Sequence, residues 1–434
     1  MKQSVFTICA KNYIGLAQVL ERSLRRYHAD LDFYIFIADE IAEGDRPVLP
    51  DNALIGREVL GDYIDWDMWE EMSFKYSLTE FCTSIKAHCF KYLFDKTEAD
   101  KVIYFDPDIY AFSSIDFLFG HLDDHKILLT PHIISCDPLY GGERSESGLL
   151  STGMYNLGFL ALRKSKEVGK MLDWWAQRLE EQCYVDVLDN YFTDQRWMDF
   201  IPCFFDSKTL LITQNPGLNL APWNFFEREI YSEEDRLYVR QRRGIVVGPD
   251  AVDAPLCFVH FSGFDYLEVL DGKFDKNPIA SADRYGDLKI IFDVYRASLL
   301  SSRENFIRYL KFPYSYNFFD NGVAIDHLYR RLFRSLLEEN ETIKHPFSTG
   351  EHSFYQQLEK KKLIFLHGPG YNNKSVRSNI SGLDGKIKGL NRIMIAVFKL
   401  VGVKRYILLL RLMRPYSRVE NQLFLYHAKY NKLR

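Results

Sequence analysis

The stretch Lys101–Asp116, KVIYFDPDIYAFSSID, constrains the fold more than any other. Val102–Phe105 is an apolar run that suits a strand buried on both faces of a parallel sheet. It runs straight into Asp106-Pro107-Asp108. Pro107 fixes its own φ and removes a backbone donor, so the two carboxylates sit on a short, stiff turn. A buried strand that ends in paired acids is costly unless a cation waits there. Two carboxylates so placed suit a hard divalent cation that is also held by a substrate's phosphates. The alternative is a strand-end turn with solvated acids, and the rest of the chain has to decide between them.

The opening of the chain supplies a setting. SVFTICA, residues 4–10, reads as a strand, followed by a helix with Leu16, Val19, Leu20, Leu24 and Tyr27 on one face, and by a second strand over 33–38. A β-α-β start of this kind predicts a mostly parallel sheet whose ligands sit beyond the carboxyl ends of the strands, where Asn12, Tyr13 and Asp39 lie. Neither GxGxxG nor GxxxxGK[ST] occurs here, so a dinucleotide fingerprint and a P-loop are both unsupported. Residues 41–76 lack a clear period. Residues 78–94 read as one helix with Lys86 at the edge of its apolar face, free to snorkel to solvent or to point at a phosphate.

Further along, the long stretch from His132 to Ser151 is a candidate lid. MYNLGFLALR, residues 154–163, reads as a strand interrupted by Asn156 and Gly158, and glycine in a strand often marks close approach of a ligand or backbone. Thr193-Asp194-Gln195 opens a short helix, for which an N-cap is the plain explanation. PLCFVHFSG, residues 255–263, reads as a strand carrying His260; a lone histidine there is usually a satisfied core residue, although Ser262-Gly263 could offer N–H groups to an anion.

Charge is divided unevenly. From Lys360 onward there are 17 Lys and Arg against 2 Asp and Glu, whereas the first 359 residues carry 38 against 57. The stretch from Lys386 to Arg418 alternates apolar blocks with Lys388, Arg392, Lys399, Lys404, Arg405, Arg411 and Arg414, most of them in one sector of a helical wheel. Such a helix can lie in an anionic membrane surface or pack on the domain. Its apolar runs fall far short of the ~20 residues that span a bilayer. No nucleic-acid motif accompanies the charge, and no nucleic acid is expected as a partner. The seven cysteines form no CxxC pair, which fits a reducing compartment. MKQSVFTICAKNY lacks the two regions of a signal peptide, so a cytoplasmic location is expected, peripheral on the inner face of the membrane if the tail binds it.

Taken together, FTICAKNY, TSIKAHCFKYLF before VIYFDPDIY, YNLGF, TDQRWMDF and VHFSG resemble, in order across roughly residues 4–265, the GT-A-fold glycosyltransferases that use nucleotide sugars. The likeness is nearest to the retaining class that contains glycogenin and bacterial lipopolysaccharide galactosyl- and glucosyltransferases. It implies an α/β, Rossmann-like mixed and mostly parallel sheet over residues 1–274; the helical periodicity after about Asp283 sets off a mainly helical accessory region over 275–370, and the charge pattern a basic amphipathic tail over 371–434. It implies Mn²⁺ or Mg²⁺ held by Asp106, Asp108 and His260. Thr7, Ala10, Asn12, Tyr13 and Asp39 would border the nucleotide, with Lys86, Asp106 and Gly263 near the diphosphate. Asn156 would face the donor sugar, and Asp194 and Gln195 would flank the anomeric centre. The chain departs from the family after VHFSG, where FDYLEV stands in place of a lysine-containing KPW, so phosphate charge would fall to the metal, Gly263 and Lys86.

The expected activity is transfer of a hexose from a UDP-sugar to a surface glycan, such as lipopolysaccharide, capsule or a lipid-linked oligosaccharide, with retention. Three alternatives remain open from the residues alone. An inverting enzyme of the same fold would need Asp194 or Asp137 as base. A phosphohydrolase would use Asp106 as nucleophile, although Ile109-Tyr110-Ala111 suits it poorly. A binding protein would take a nucleotide sugar without catalysis.

Overall fold

A computed structural model describes residues 1–136, 139–242, 253–274, 284–365, 382–427 and 429–430. Asp137, the second candidate base, lies outside them. The chain divides into two compact units, the first comprising residues 1–72 and 78–315 and the second 73–77 and 316–434.

The first unit is built on a seven-stranded mixed sheet. Its strands β1 (Gln3–Cys9), β2 (Asp32–Ile37), β3 (Ala53–Ile55), β4 (Lys101–Phe105), β6 (Ile127–Leu129) and β7 (Phe159–Arg163) are joined at one edge by Leu210–Ile212. β5 (Ile109–Ala111) lies outside it. The order is Leu210–Ile212, β6, β7, β4, β1, β2, β3, with only β7 antiparallel to its neighbours β4 and β6. All five residues of β4 are buried, as the continuous apolar run requires of a central strand. Helix α1 (Ile14–Arg25) buries Leu16, Val19, Leu20 and Leu24 of the face read from the 3.6-residue period, whereas Tyr27 lies past its end and is exposed.

Beyond Pro107 the chain continues into β5, which leaves the main sheet and pairs antiparallel with Phe258–His260. The register sets His260 opposite Ile109, next to the Asp106-Pro107-Asp108 turn.

Several sequence expectations change. The helix over 78–94 is two helices, Leu78–Ser84 and Lys86–Lys96, that meet at Ile85. The strand expected over 154–163 begins only at Phe159, because Asn156 turns its side chain onto the backbone of Gly158 (3.1 Å). The aperiodic region 41–76 contains the helix Trp66–Lys75. Glu146–Thr152 is a helix inside the candidate lid. The first unit also continues past residue 274, to Ser315. The physical reason is that Ile291, Phe292, Tyr295, Leu299 and Phe306 pack with Leu16, Val19, Tyr110, Val259 and Phe261 in a single core cluster.

The second unit has a core of its own around Phe74, Phe319, Tyr329, Phe333, Phe354 and Leu358. Arg330, buried on the helix His327–Glu338, donates to the carbonyls of Tyr76 (2.8 Å) and Ser73 (3.2 Å), which ties residues 73–77 into that unit. The helix Leu383–Met413 carries exposed Leu390, Ile393, Leu400 and Leu408. It is kinked at Gly402 (φ 75°), so the cations do not share one wheel. Lys388, Arg392 and Lys399 share a face before the kink, and Lys404 and Arg411 share one after it. Among the described residues, no helix is long and apolar enough to cross a membrane.

Candidate metal and donor site

Asp106, Asp108 and His260 each bring one ligand atom to within 4.8 Å of the others. The backbone explains the convergence. The N–H of Asp106 donates to Gly158 O (2.8 Å), the N–H of Ile109 closes the turn on Asp106 O (3.1 Å), and the N–H of Phe261 donates to Asp108 O (2.9 Å). His260 Nε2 lies 3.0 Å from Asp108 Oδ1 and 3.6 Å from Asp106 Oδ2. Tyr104 donates its hydroxyl to Asp106 Oδ1, and Tyr266 OH approaches Asp108 Oδ2 at 3.4 Å.

The electrostatics suit a cation. Burial raises the Asp106 carboxyl above its ordinary range, against the opposing pull of Lys86 and His260, and Asp108 adds to the rise. Burial alone would lower His260, but the charge of Asp108, its hydrogen bond and the charge of Asp106 together lift it. Two carboxylates and one imidazole nitrogen are a donor set for a hard or borderline divalent ion such as Mn²⁺ or Mg²⁺. The other ring nitrogen, Nδ1, sits 3.1 Å from Asn156 Oδ1, the second contact that a metal-ligating histidine characteristically makes. The residues therefore fit a divalent metal.

Lys86 neither snorkels nor reaches the carboxylates of the turn. Its ammonium is sealed in the interior, donating to Leu157 O (2.8 Å) and to Asp194 Oδ2, and lying 4.1 Å from the centroid of the Tyr104 ring. Asp194 stands at the N-cap position of Gln195–Phe200 but does not cap it. Its two oxygens take Lys86 Nζ and Thr193 Oγ1 (3.1 Å) instead. Gln195 is buried and donates to Thr152 O (2.6 Å).

The residues expected around the nucleotide divide into two groups. Asn12 and Tyr13 lie just past β1, and Asn12 Oδ1 is buried with no hydrogen-bond partner among the described residues, as an atom awaiting a ligand would be. Tyr13 packs edge-on to Tyr266 (5.9 Å between centroids), next to Asp108. Ala10 is buried and accepts the N–H of Tyr13 (2.9 Å), and Gly263 is exposed with φ 81° just after His260. Thr7 lies inside β1, fully buried, two residues short of its end. Asp39 is fully buried and accepts the N–H groups of Glu40 (2.8 Å) and Ser315 (3.0 Å), with Lys11 Nζ at 4.0 Å. Burial pushes its carboxyl up to about 6, although Lys11 and Ser315 oppose the rise.

Sequence reasoning missed the partners of these groups. Tyr104, Leu157 and Tyr266 lie inside the quoted segments VIYFDPDIY, YNLGF and FDYLEV, but nothing local marks them as partners of Asp106, Lys86 and Asp108, and among the partners only Gly158 gives a signal, as an interruption of an apolar run. A cavity of about 1020 Å³ lined by Arg26, Tyr27, Tyr110, Phe112 and Arg236 includes none of the three ligands.

No family model matches the chain. Two uncharacterized proteins of Bacillus subtilis (strain 168) are similar to it. YfnF is 22% identical over 300 residues, covering 69% of this chain and 92% of its own. YfnD is 27% identical over 188 residues, covering 43% of this chain, and the match spans about half (54%) of YfnD. Among solved structures, the galactosyltransferase LgtC in complex with donor and acceptor sugar analogues matches 70% of this chain and 99% of its own, with 19% identity and a TM-score of 0.40. The glycosyltransferase GlyE of Streptococcus pneumoniae TIGR4 matches 74% and 67%, with 14% identity and a TM-score of 0.36. Likenesses of this size stand beside the geometry of the site and do not decide its chemistry.

Proposed function

We propose that this chain is a metal-dependent glycosyltransferase that moves a hexose from a UDP-sugar to a surface-glycan or glycolipid acceptor with retention. The observation that carries the reading is the meeting of Asp106, Asp108 and His260 beside the carboxyl end of β4, within one 4.8 Å group. Ligands of open α/β sheets bind at such strand ends. A divalent ion held there would offset charge on the departing diphosphate. Asn12 and Tyr13 would border the base, and the exposed backbone of Gly263 would add an N–H for phosphate.

In the transfer, the bond from the sugar's anomeric carbon to the phosphate oxygen breaks and a bond to the acceptor oxygen forms. The acceptor's proton passes to the departing phosphate oxygen. That route needs no side-chain base. Asp194 is ill placed to act as one, because both of its oxygens are engaged and the residue is 2% exposed. Asp194 and Gln195 would instead shape the wall near the anomeric centre, with Lys86 fixing Asp194.

The basic helix Leu383–Met413 would place the enzyme on the inner face of an anionic membrane, near a lipid-linked acceptor. Cosedimentation with vesicles containing anionic lipid tests this; a 1–385 truncation that pellets as well as the full chain would remove the membrane from the proposal. For the reaction itself, the chain is incubated with UDP-glucose, UDP-galactose and UDP-GlcNAc in Mn²⁺. Release of UDP from one of them is expected, and release that survives in Asp108→Ala would refute the reading.

A further inference from the structure

We infer that Asn156 is a positioning residue for the imidazole of His260, aiming Nε2 at the Asp106–Asp108 pair. The inference deepens the metal-site reading and rests on it.

The orientation of the Asn156 amide is fixed by its neighbours. Oδ1 lies 3.1 Å from the N–H of Gly158, and a main-chain N–H can only donate, so this atom is the oxygen. Asn219 Nδ2 donates to the same oxygen at 3.2 Å and to Thr130 Oγ1 at 2.8 Å. An amide oxygen cannot donate, so the His260 nitrogen that faces it at 3.1 Å, Nδ1, must carry a hydrogen. Nε2 is then the nitrogen turned toward Asp108 (3.0 Å) and Asp106 (3.6 Å), the one from which a metal held by those carboxylates would displace the hydrogen.

The surroundings leave this network little freedom. A Cβ on Gly158 would lie 2.4 Å from His260 Cε1 and 2.8 Å from Asn156 Oδ1, so only glycine admits both side chains. Trp223 stands edge-on between two imidazoles, 5.2 Å from His260 and 5.3 Å from His132. His132 Nε2 lies 3.5 Å from Asn156 Nδ2. Asn156 is 7% exposed, with its oxygen already shared by three donors. A buried oxygen so occupied is poorly placed to read a sugar hydroxyl.

The test compares Mn²⁺ affinity, by calorimetric titration of the full chain without nucleotide, with the hydrogen-bonded state of His260 Nδ1–H read by ¹H–¹⁵N NMR in the metal-free protein. Asn156→Ala is expected to weaken Mn²⁺ binding about 10–100-fold. Asn156→Asp, which keeps an oxygen acceptor for Nδ1–H, is expected to stay within a few-fold of wild type. In wild type and Asn156→Asp the Nδ1–H should show the shifts and slow exchange of a hydrogen-bonded donor, and in Asn156→Ala that signature should be lost. An Asn156→Ala protein with wild-type Mn²⁺ affinity and Nδ1–H signature, and only a raised KM for the sugar donor, would overturn the inference. A wild-type chain that binds no Mn²⁺ would overturn the metal reading instead, and the Nδ1–H measurement would still decide the role of Asn156. Should Asn156→Ala fail to fold, Asn156→Leu, which keeps the side chain's bulk without an acceptor, should lose the same signature; its retention would count against the inference.

Discussion

Two of the places where the first unit brings a basic side chain against acid are built in opposite ways. Lys86 and Asp194 are sealed, with side chains 1% and 3% exposed and partners on every side. At the turn, Asp106 and Asp108 keep 27% and 18% exposure, and two carboxylates share one imidazole. The sealed pair balances its own charge. The open cluster does not, and a site with an excess of carboxylate at its mouth is one that draws a cation. The contrast separates a group that shapes the interior from one that meets a ligand, although the sequence offers aspartates of equal standing at all three positions.

Breaking the open cluster should affect function far more than stability. Asp108→Ala is expected to lower UDP-sugar turnover by at least about 10³-fold, since the charge stabilisation supplied through a metal is several kcal/mol. Its urea midpoint should stay near that of wild type or rise, because a like-charged neighbour of Asp106 is removed. A large loss of stability instead would place Asp108 with the sealed pair.

Breaking the sealed pair should do the reverse. Lys86→Met leaves a buried carboxylate alone and is expected to cost about 3–5 kcal/mol in denaturant unfolding, whereas Lys86→Met with Asp194→Leu should recover most of it. If the single variant unfolds like wild type, Lys86 is not held as the geometry has it.

Asp39 sharpens the comparison from a third side, being sealed but weakly paired. Its folded-state value of about 6 exceeds its ordinary value of 3.8, so the folded protein keeps that proton to higher pH than the unfolded chain does. The stabilisation is present in full below about pH 4, is lost as pH rises through about 6, and is constant above, amounting to at most about 3 kcal/mol. Thermal midpoints of wild type minus Asp39→Asn should therefore fall between pH 4 and 6 and level off. A difference that rises over that range would contradict the assignment.

Gly158→Ala is expected to cost the fold about 1–3 kcal/mol, less than Lys86→Met, because the added methyl must displace the His260 ring. Metal affinity should drop with it; unchanged affinity would mean that the ring has room to yield.

How much of this could be read from residues alone depends on the range of each interaction. The strand into Asp106 and Asp108 is a local pattern, and the buried β4 bears it out. That His260 lies beside them was reached only through the resemblance, since the pairing of Phe258–His260 with β5 joins segments far apart in the chain. Lys86 was read as an edge residue because a helical wheel sees one helix and not the Asp194 that meets it from another segment. Asn156 was legible as an interruption, but its partners, Gly158, Asn219 and His260, are set by folding. That the first unit runs on to Ser315 is not legible in the residues, because Lys289–Leu300 looks like any amphipathic helix until the core that receives Tyr295 is known.

The most direct measurement is anomalous diffraction from crystals grown with Mn²⁺ and UDP. The account predicts a single strong peak about 2.1 Å from a carboxylate oxygen of Asp106, one of Asp108 and Nε2 of His260. Density for Mn²⁺ elsewhere, with these three side chains in contact only with one another, would contradict it.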